Sequence, residues 1–169
     1  DAQQFKEAMI KEVNEHTENG HWEVVPRSTV PEGVKVLPAV WSMKRKRRIS
    51  TREIYKYKAR LNIGGHKQEH GVHYWETYSP VVRWTTICLM LILSLVFGWS
   101  TRQIDFVMAY PQANISMGNV YIDIPKGFQF EGSSRSHCLH VVQNIYGGKD
   151  AGRTWNQHLV KGMKELGFQ

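Results

Sequence analysis

An α+β fold is predicted by three features of the chain. Helical periodicity marks both ends. Two alternating basic strands stand in the first half. Strands and helices otherwise follow one another without the strict alternation of a parallel βαβ sheet. The first helix is expected over residues 2–16, where Phe5, Ala8, Met9 and Val13 recur at helical spacing with charges between them. Asn19-Gly20 can end it. Trp22 and Val24-Val25 read as a short strand before Pro26, and residues 26–34 read as loop, rich in Pro, Gly, Ser and Thr. Val40 to Lys46 and Ile54 to Ile63 read as two strands joined by a charged tip from Arg47 to Glu53. By the strand period of two, Lys56, Lys58 and Arg60 share one face, while Tyr55, Tyr57, Ala59 and Leu61 share the other. A hairpin with one basic face follows, with Lys44 and Lys46 on its first strand.

Gly64-Gly65 breaks the second strand, and a polar loop runs to about Tyr74. His66, His70 and His73 lie in it, but no Cys or acid completes a metal-ligand set with them. Residues 85–97 are apolar on every face and read as a buried helix, with Thr85 or Thr86 as N-cap and Gly98 as terminator. Thr101 to Asp105 reads as a short strand, followed by a turn or short helix at Tyr110-Pro111. Val120 to Ile124 and Cys138 to Val142 read as strands around a Gly/Ser loop at 132–136. A last helix is expected over 149–166, apolar at Trp155, Leu159, Met163 and Leu166.

A chain of 169 residues has room for one domain or slightly more, and 41% hydrophobic content with six Trp supports a core. The longest apolar stretch, Ile87 to Phe97, falls short of the ~20 residues that span a bilayer. No signal peptide is visible, and no membrane partner is expected. The first residue is Asp1 rather than Met, so the chain reads as a segment of a longer polypeptide. Two cysteines, Cys88 and Cys138, make no disulfide framework. Cys88 is expected to be a buried thiol, and an intracellular setting is the default. Net charge is +7, and eleven of the 22 basic residues lie between Lys35 and Lys67 beside a single acid, Glu53. That concentration suits a polyanion-facing surface. It also suits a solvated loop, or an import-like cluster at Lys44-Arg45-Lys46-Arg47-Arg48.

Five blocks then matter together. They are Tyr57-Lys58-Ala59-Arg60-Leu61, the stretch Gly71 to Val82, Thr101 to Tyr110, Tyr121 to Phe128, and Tyr146 to Trp155. In this order and spacing they resemble the reverse transcriptase domain of copia-type retrotransposon polyproteins, from about Phe5 to Phe168. The resemblance implies the fingers and partial palm of a right-hand polymerase. Residues 1–100 would form a fingers-like region and residues 101–169 the partial palm. It implies an RNA-directed DNA polymerase in the intact parent, acting through two Mg²⁺ ions on an RNA template, a DNA primer and deoxynucleoside triphosphates. The rest of a Pol polyprotein, with the remaining palm and an RNase H domain, would be its partner, in a cytoplasmic particle or the nucleus.

By that resemblance Asp105 matches the first catalytic aspartate, a metal ligand joined by the backbone carbonyl of Phe106. On the residues alone, a lone Asp ending a strand fits a cap or ion-pair partner as well. Tyr110 matches the aromatic ring under the sugar that excludes a 2′-hydroxyl; otherwise it is a core tyrosine in a tight turn. Lys58 and Arg60 match fingers residues that meet the incoming triphosphate. Tyr146 and Gly147 match the motif lying against the template and nascent base pair. Lys44, Lys46, Lys56, Lys149 and Arg153 are the further expected nucleic-acid contacts. The family's second pair of carboxylates, an Asp-Asp hairpin, is absent from these 169 residues. The sequence therefore looks truncated before that hairpin, and inactive by itself.

Three departures from the family stand out. Cys88 replaces an arginine, and Gly148 and Asp150 replace a larger residue and a glutamine. Asp150 is expected to bring negative charge close to the template path. The alternative to a polymerase segment is a non-enzymatic basic nucleic-acid-binding remnant, or the product of a decayed element.

Overall fold

The computed structural model describes residues 1–168. Helix α1 runs Ala2–Glu18. Its inward face carries Phe5, Ala8, Met9, Val13 and His16, with Val13 and His16 fully buried. It ends where expected. Asn19 is the C-cap, and Gly20 takes a positive φ of 65° while its N–H donates to the Thr17 carbonyl.

Strand β1, Trp22–Pro26, pairs antiparallel with β5, His137–Val141, which also pairs with the two-residue β4, Tyr121–Ile122. The sheet order is β1-β5-β4, so Pro26 sits at the end of an edge strand, where its missing N–H breaks no ladder. A second sheet is the hairpin of β2, Ala39–Arg47, and β3, Ile54–Ile63. Leu37 joins the two sheets. It bridges Ile122, its N–H donates to the Tyr121 carbonyl at 2.7 Å, and its own carbonyl accepts from Asp123 N–H at 2.9 Å. Around this junction Leu37, Leu61, Ile122, Leu139, Val141 and Ile145 form a fully buried core, with Val13 and Trp22 packed against it.

Helix α1 closes one side of the hairpin. The Phe5 ring meets the Tyr57 ring edge-on at 5.0 Å, and a Glu12 carboxylate oxygen accepts from Leu61 N–H at 3.3 Å. The apolar face read from the sequence, Tyr57, Ala59 and Leu61, is therefore the one covered by α1 and the core, although Tyr55 at the tip stays exposed.

Helix α2, Trp84–Phe97, ends where expected, at the αL glycine Gly98 with φ 66°, and begins before the threonines expected to cap it. Its environment differs from the expectation. Ser94 is its one buried residue, and Leu95 is 84% exposed. An all-apolar helix is stable only with cover on its faces, yet no other described element packs broadly over this one. Cys88 is accordingly half-buried, and the N-cap is Arg83 rather than a threonine. No helix among the described residues is long and apolar enough to cross a membrane.

The segment expected as a strand at Thr101–Asp105 is exposed and joins no ladder. The edge of β3 is taken by Glu12 and by Tyr146, whose carbonyl accepts from Ile63 N–H. Without a partner row of N–H and C=O groups the segment has nothing to pair with. A 3-10 turn at Tyr110–Gln112 follows. Helix α3 is Ala151–Glu165. Only the first half of its apolar stripe packs: Trp155 and Leu159 are half-buried, whereas Leu166 is 76% exposed.

One buried polar pair ties α1 to β1. His16 and His21 are hydrogen-bonded through their Nδ1 atoms at 2.8 Å, and the His16 ring stacks on Trp22 at 4.9 Å. Burial, then the neighbouring His16, lowers the His21 pKa from 6.5 to about 4. The unfolded chain therefore takes up a proton near pH 6.5 that the folded chain refuses until near pH 4. Stability is full above the upper value and falls as pH drops through this window, by about 1–2 kcal/mol after allowance for solvent screening. Urea unfolding at pH 7.0, 5.5 and 4.5 is expected to show that loss, and His21→Gln to show less of it. Equal pH slopes for the two proteins would assign the loss to other groups.

Candidate nucleic-acid interface

The hairpin register sets Ser42 opposite Arg60, Lys44 opposite Lys58, and Lys46 opposite Lys56. Directly opposed residues project from the same face of a sheet, so five cations form one ladder. Like charges opposite one another are unfavourable unless something anionic meets them. The strain shows at Lys58, whose pKa is lowered by burial first and then by Arg60 and Lys46, with Glu12 opposing and Lys56 adding a little. A phosphate would relieve that crowding.

Arg60 sits over an aromatic ring. Its guanidinium carbon is 4.2 Å from the centroid of Tyr146, a distance at which the cation meets the negative ring face. The Tyr146 ring in turn meets Tyr110 at 5.2 Å with planes 63° apart. Three residues singled out in the sequence, from β3, the 3-10 turn and the segment before α3, are thus one stack.

A cleft of about 400 Å³ opens beside it. One wall is the strand from Lys56 to Arg60 with Tyr146; the other is Asp105 to Met108, and α1 contributes Glu12 and Glu15. Asp105 is exposed and makes no hydrogen bond or ion pair among the described residues, so neither a cap nor an ion-pair role accounts for it. Phe106, beside it, packs its ring edge-on against Trp155 of α3 at 5.1 Å. Between Asp105 and Tyr110 the chain reverses through Met108, whose φ is +49°. A side chain other than glycine in the left-handed region costs about 1 kcal/mol or more, and such strain gathers at functional sites. Nothing in the sequence marked Met108, because no Gly or Asn stands there. The α1 wall was equally unmarked, since Glu12 and Glu15 are close to the ladder only in space.

Other expected contacts lie elsewhere. Lys149 does not line the cleft. Its ammonium sits 4.9 Å over the Tyr74 ring and donates to the Tyr74 hydroxyl at 3.2 Å. Arg153 pairs with Glu76 at 2.6 Å. Asp150, expected to add charge near the template, is instead 4% exposed at the start of α3, where it accepts the Ser116 hydroxyl. Its carboxylate serves the packing of the 113–116 loop on α3, not the surface. His73 is buried, its Nδ1 accepting from Glu69 N–H at 3.0 Å, whereas His66 and His70 are exposed.

The profile of the reverse transcriptase (RNA-dependent DNA polymerase) family matches residues 19–169. The chain belongs to this reverse transcriptase family. Among curated proteins it is 30% identical over 166 residues to the retrovirus-related Pol polyprotein from transposon RE1 of Arabidopsis thaliana, covering 98% of this chain and 11% of that one. It is 31% identical over 164 residues to the transposon RE2 polyprotein of the same plant, covering 97% of this chain and 11% of that protein. To the polyprotein of transposon TNT 1-94 of Nicotiana tabacum it is 29% identical over 161 residues, covering 95% of this chain and 12% of that one. This reverse transcriptase sequence thus spans about a ninth of the length of these relatives. They bear out the copia-type resemblance carried by the five blocks. No solved structure matches the chain significantly.

Proposed function

We propose that this chain forms the nucleotide-facing and template-facing part of an RNA-directed DNA polymerase within a retrotransposon Pol polyprotein. Residues 1–100 would act as fingers and residues 101–169 as part of the palm. The observation that carries this reading is one cleft lined by an unpartnered carboxylate, Asp105, and by Lys56, Lys58 and Arg60 of the basic ladder. Lys58 and Arg60 would take the triphosphate, while Lys44, Lys46 and Lys56 continue along nucleic-acid phosphate. Tyr110, whose ring meets that of Tyr146 edge-on, would read the sugar, and Gly147 would let backbone approach a base pair closely. Template RNA, primer DNA, deoxynucleoside triphosphate and the rest of the polyprotein would be the partners. Lys149 and Arg153, held by Tyr74 and Glu76, would join the template path only if released from them.

Divalent ions, where such enzymes hold them, neutralise charge on the transferring phosphoryl oxygens. The described residues do not complete a site for them. No group of three or more His, Cys, Asp or Glu side chains stands together, and Asp105 is a single carboxylate. Asp105 is thus read as one ligand of an incomplete set, with the Phe106 carbonyl beside it, and no catalytic step is assigned to these residues. A second reading, in which the chain binds nucleic acid without turnover, rests on the same basic ladder.

Binding to an RNA–DNA hybrid tests the shared core of both readings. Association driven by counterion release at about four phosphates should give a log–log salt slope of roughly −3 to −4, with little sequence preference. Fluorescence anisotropy across salt concentrations measures it. A flat dependence would make the ladder an ordinary solvated surface.

A further inference from the structure

The seat of Arg60 depends on two glycines far apart in sequence. Gly65, just past β3, and Gly147, just after Tyr146, touch backbone to backbone. A Cβ built on Gly65 would overlap the Gly147 carbonyl oxygen, far inside van der Waals contact distance. A Cβ built on Gly147 would strike the carbonyl oxygen of Ile63, and Gly147 has a φ of +89° that only glycine adopts freely. Polar contacts bracket the seam. Ile63 N–H donates to the Tyr146 carbonyl at 2.7 Å on one side. On the other, Lys149 N–H donates to Oε1 of the buried Gln68, also at 2.7 Å.

Tyr146 is therefore anchored through its backbone at this seam as well as by its ring contact with Tyr110, and its ring is what Arg60 lies over. Among the described residues the Arg60 guanidinium makes no hydrogen bond or ion pair. A guanidinium seated over a ring and without other partners has N–H groups available to fork onto phosphate oxygens. We propose that the Gly65–Gly147 seam is a positioning joint for triphosphate binding. It sets Tyr146 under Arg60 and thereby fixes where the free N–H edge of Arg60 points into the cleft. Gly65 and Gly147 are positioning residues, acting through Tyr146 on Arg60. The inference rests on the nucleotide reading of the cleft given above.

Two readouts on the 169-residue chain test it. The first is the Arg60 Nε–Hε signal in proton–nitrogen NMR, displaced upfield by the Tyr146 ring current and independent of any ligand. The second is dissociation of dTTP, followed by calorimetry. Gly65→Ala is expected to move the Arg60 signal to its position in Tyr146→Leu. It should also weaken dTTP about five- to tenfold, the scale of a lost partly buried cation–π seat. The salt slope on an RNA–DNA hybrid, set by the whole ladder, should stay as in wild type.

Tyr146→Leu, with both glycines intact, should give the same dTTP loss, and Tyr146→Phe should restore it because the ring returns. This pair decides the matter if Gly65→Ala does not fold; equal dTTP affinity for Tyr146→Leu and wild type would overturn the joint. So would a Gly65→Ala protein with wild-type affinity or a wild-type Arg60 signal, while the nucleotide reading stood. A wild-type chain that binds the hybrid but not dTTP would overturn the nucleotide reading and the joint together.

Discussion

Lys58→Ala combined with Arg60→Ala is expected to weaken binding of an RNA–DNA hybrid by about 10- to 100-fold at moderate salt, and to flatten the log–log salt slope by about two. Both effects come from the register. Arg60 stands across from Ser42 and Lys58 across from Lys44, so the two substitutions remove the deepest cations of the ladder and leave Lys44, Lys46 and Lys56. Burial first, then the nearby Arg60 and Lys46, lowers the Lys58 pKa, so its charge is already disfavoured in the folded chain. Removing that charge should therefore cost the fold little. A double variant with the wild-type slope would take the inner half of the ladder out of the interface. A variant that loses binding together with its cooperative unfolding would show that these side chains hold the hairpin instead.

The second large effect concerns Asp105. In an active Pol polyprotein carrying this domain, Asp105→Asn is expected to lower primer extension on RNA by about 10²–10³-fold or more, the usual scale for loss of one charged group aimed at the reacting centre. Hybrid affinity should remain within about twofold. The amide keeps the shape, and Asp105 has no hydrogen bond or ion pair among the described residues for the substitution to break. Its removal takes a negative charge from a basic cleft, so any change in binding should be toward tighter association. Equal losses of binding and extension would make Asp105 a structural residue.

Local features were legible in the chain. Alternating basic and apolar residues gave the hairpin its faces, and the observed strands extend one residue beyond each end expected for β2 and match those expected for β3. Glycines at 20 and 98 marked helix ends because the αL turns there suit them. What stayed hidden depends on partners. The apolar helix α2 read as buried, but burial is a property of what covers a helix, and α2 is exposed. Thr101–Asp105 read as a strand from its residues, yet a strand exists only with a ladder. Asp150 read as a surface charge, since nothing local announced Ser116 as its partner 34 residues away. In the site itself, Asp105, Lys58, Arg60, Tyr110 and Tyr146 were identified by motif, but their meeting was not. Nor was the seam of Gly65 and Gly147, which joins segments about eighty residues apart in the chain.

One cleft, lined by Asp105 and by Lys56, Lys58 and Arg60 of the ladder, is proposed to receive nucleic-acid and nucleotide phosphate. Titrating the isotope-labelled chain with an RNA–DNA hybrid and following its amide signals tests this most directly. Signals of residues 44–46, 56–60, 105–108 and 146–147 are expected to move together, saturating at one stoichiometry and returning as salt rises. Shifts confined to Lys161, Lys164 and the α3 surface, or to Arg27 and Lys126 beside the three-stranded sheet, with the cleft signals unmoved, would contradict it.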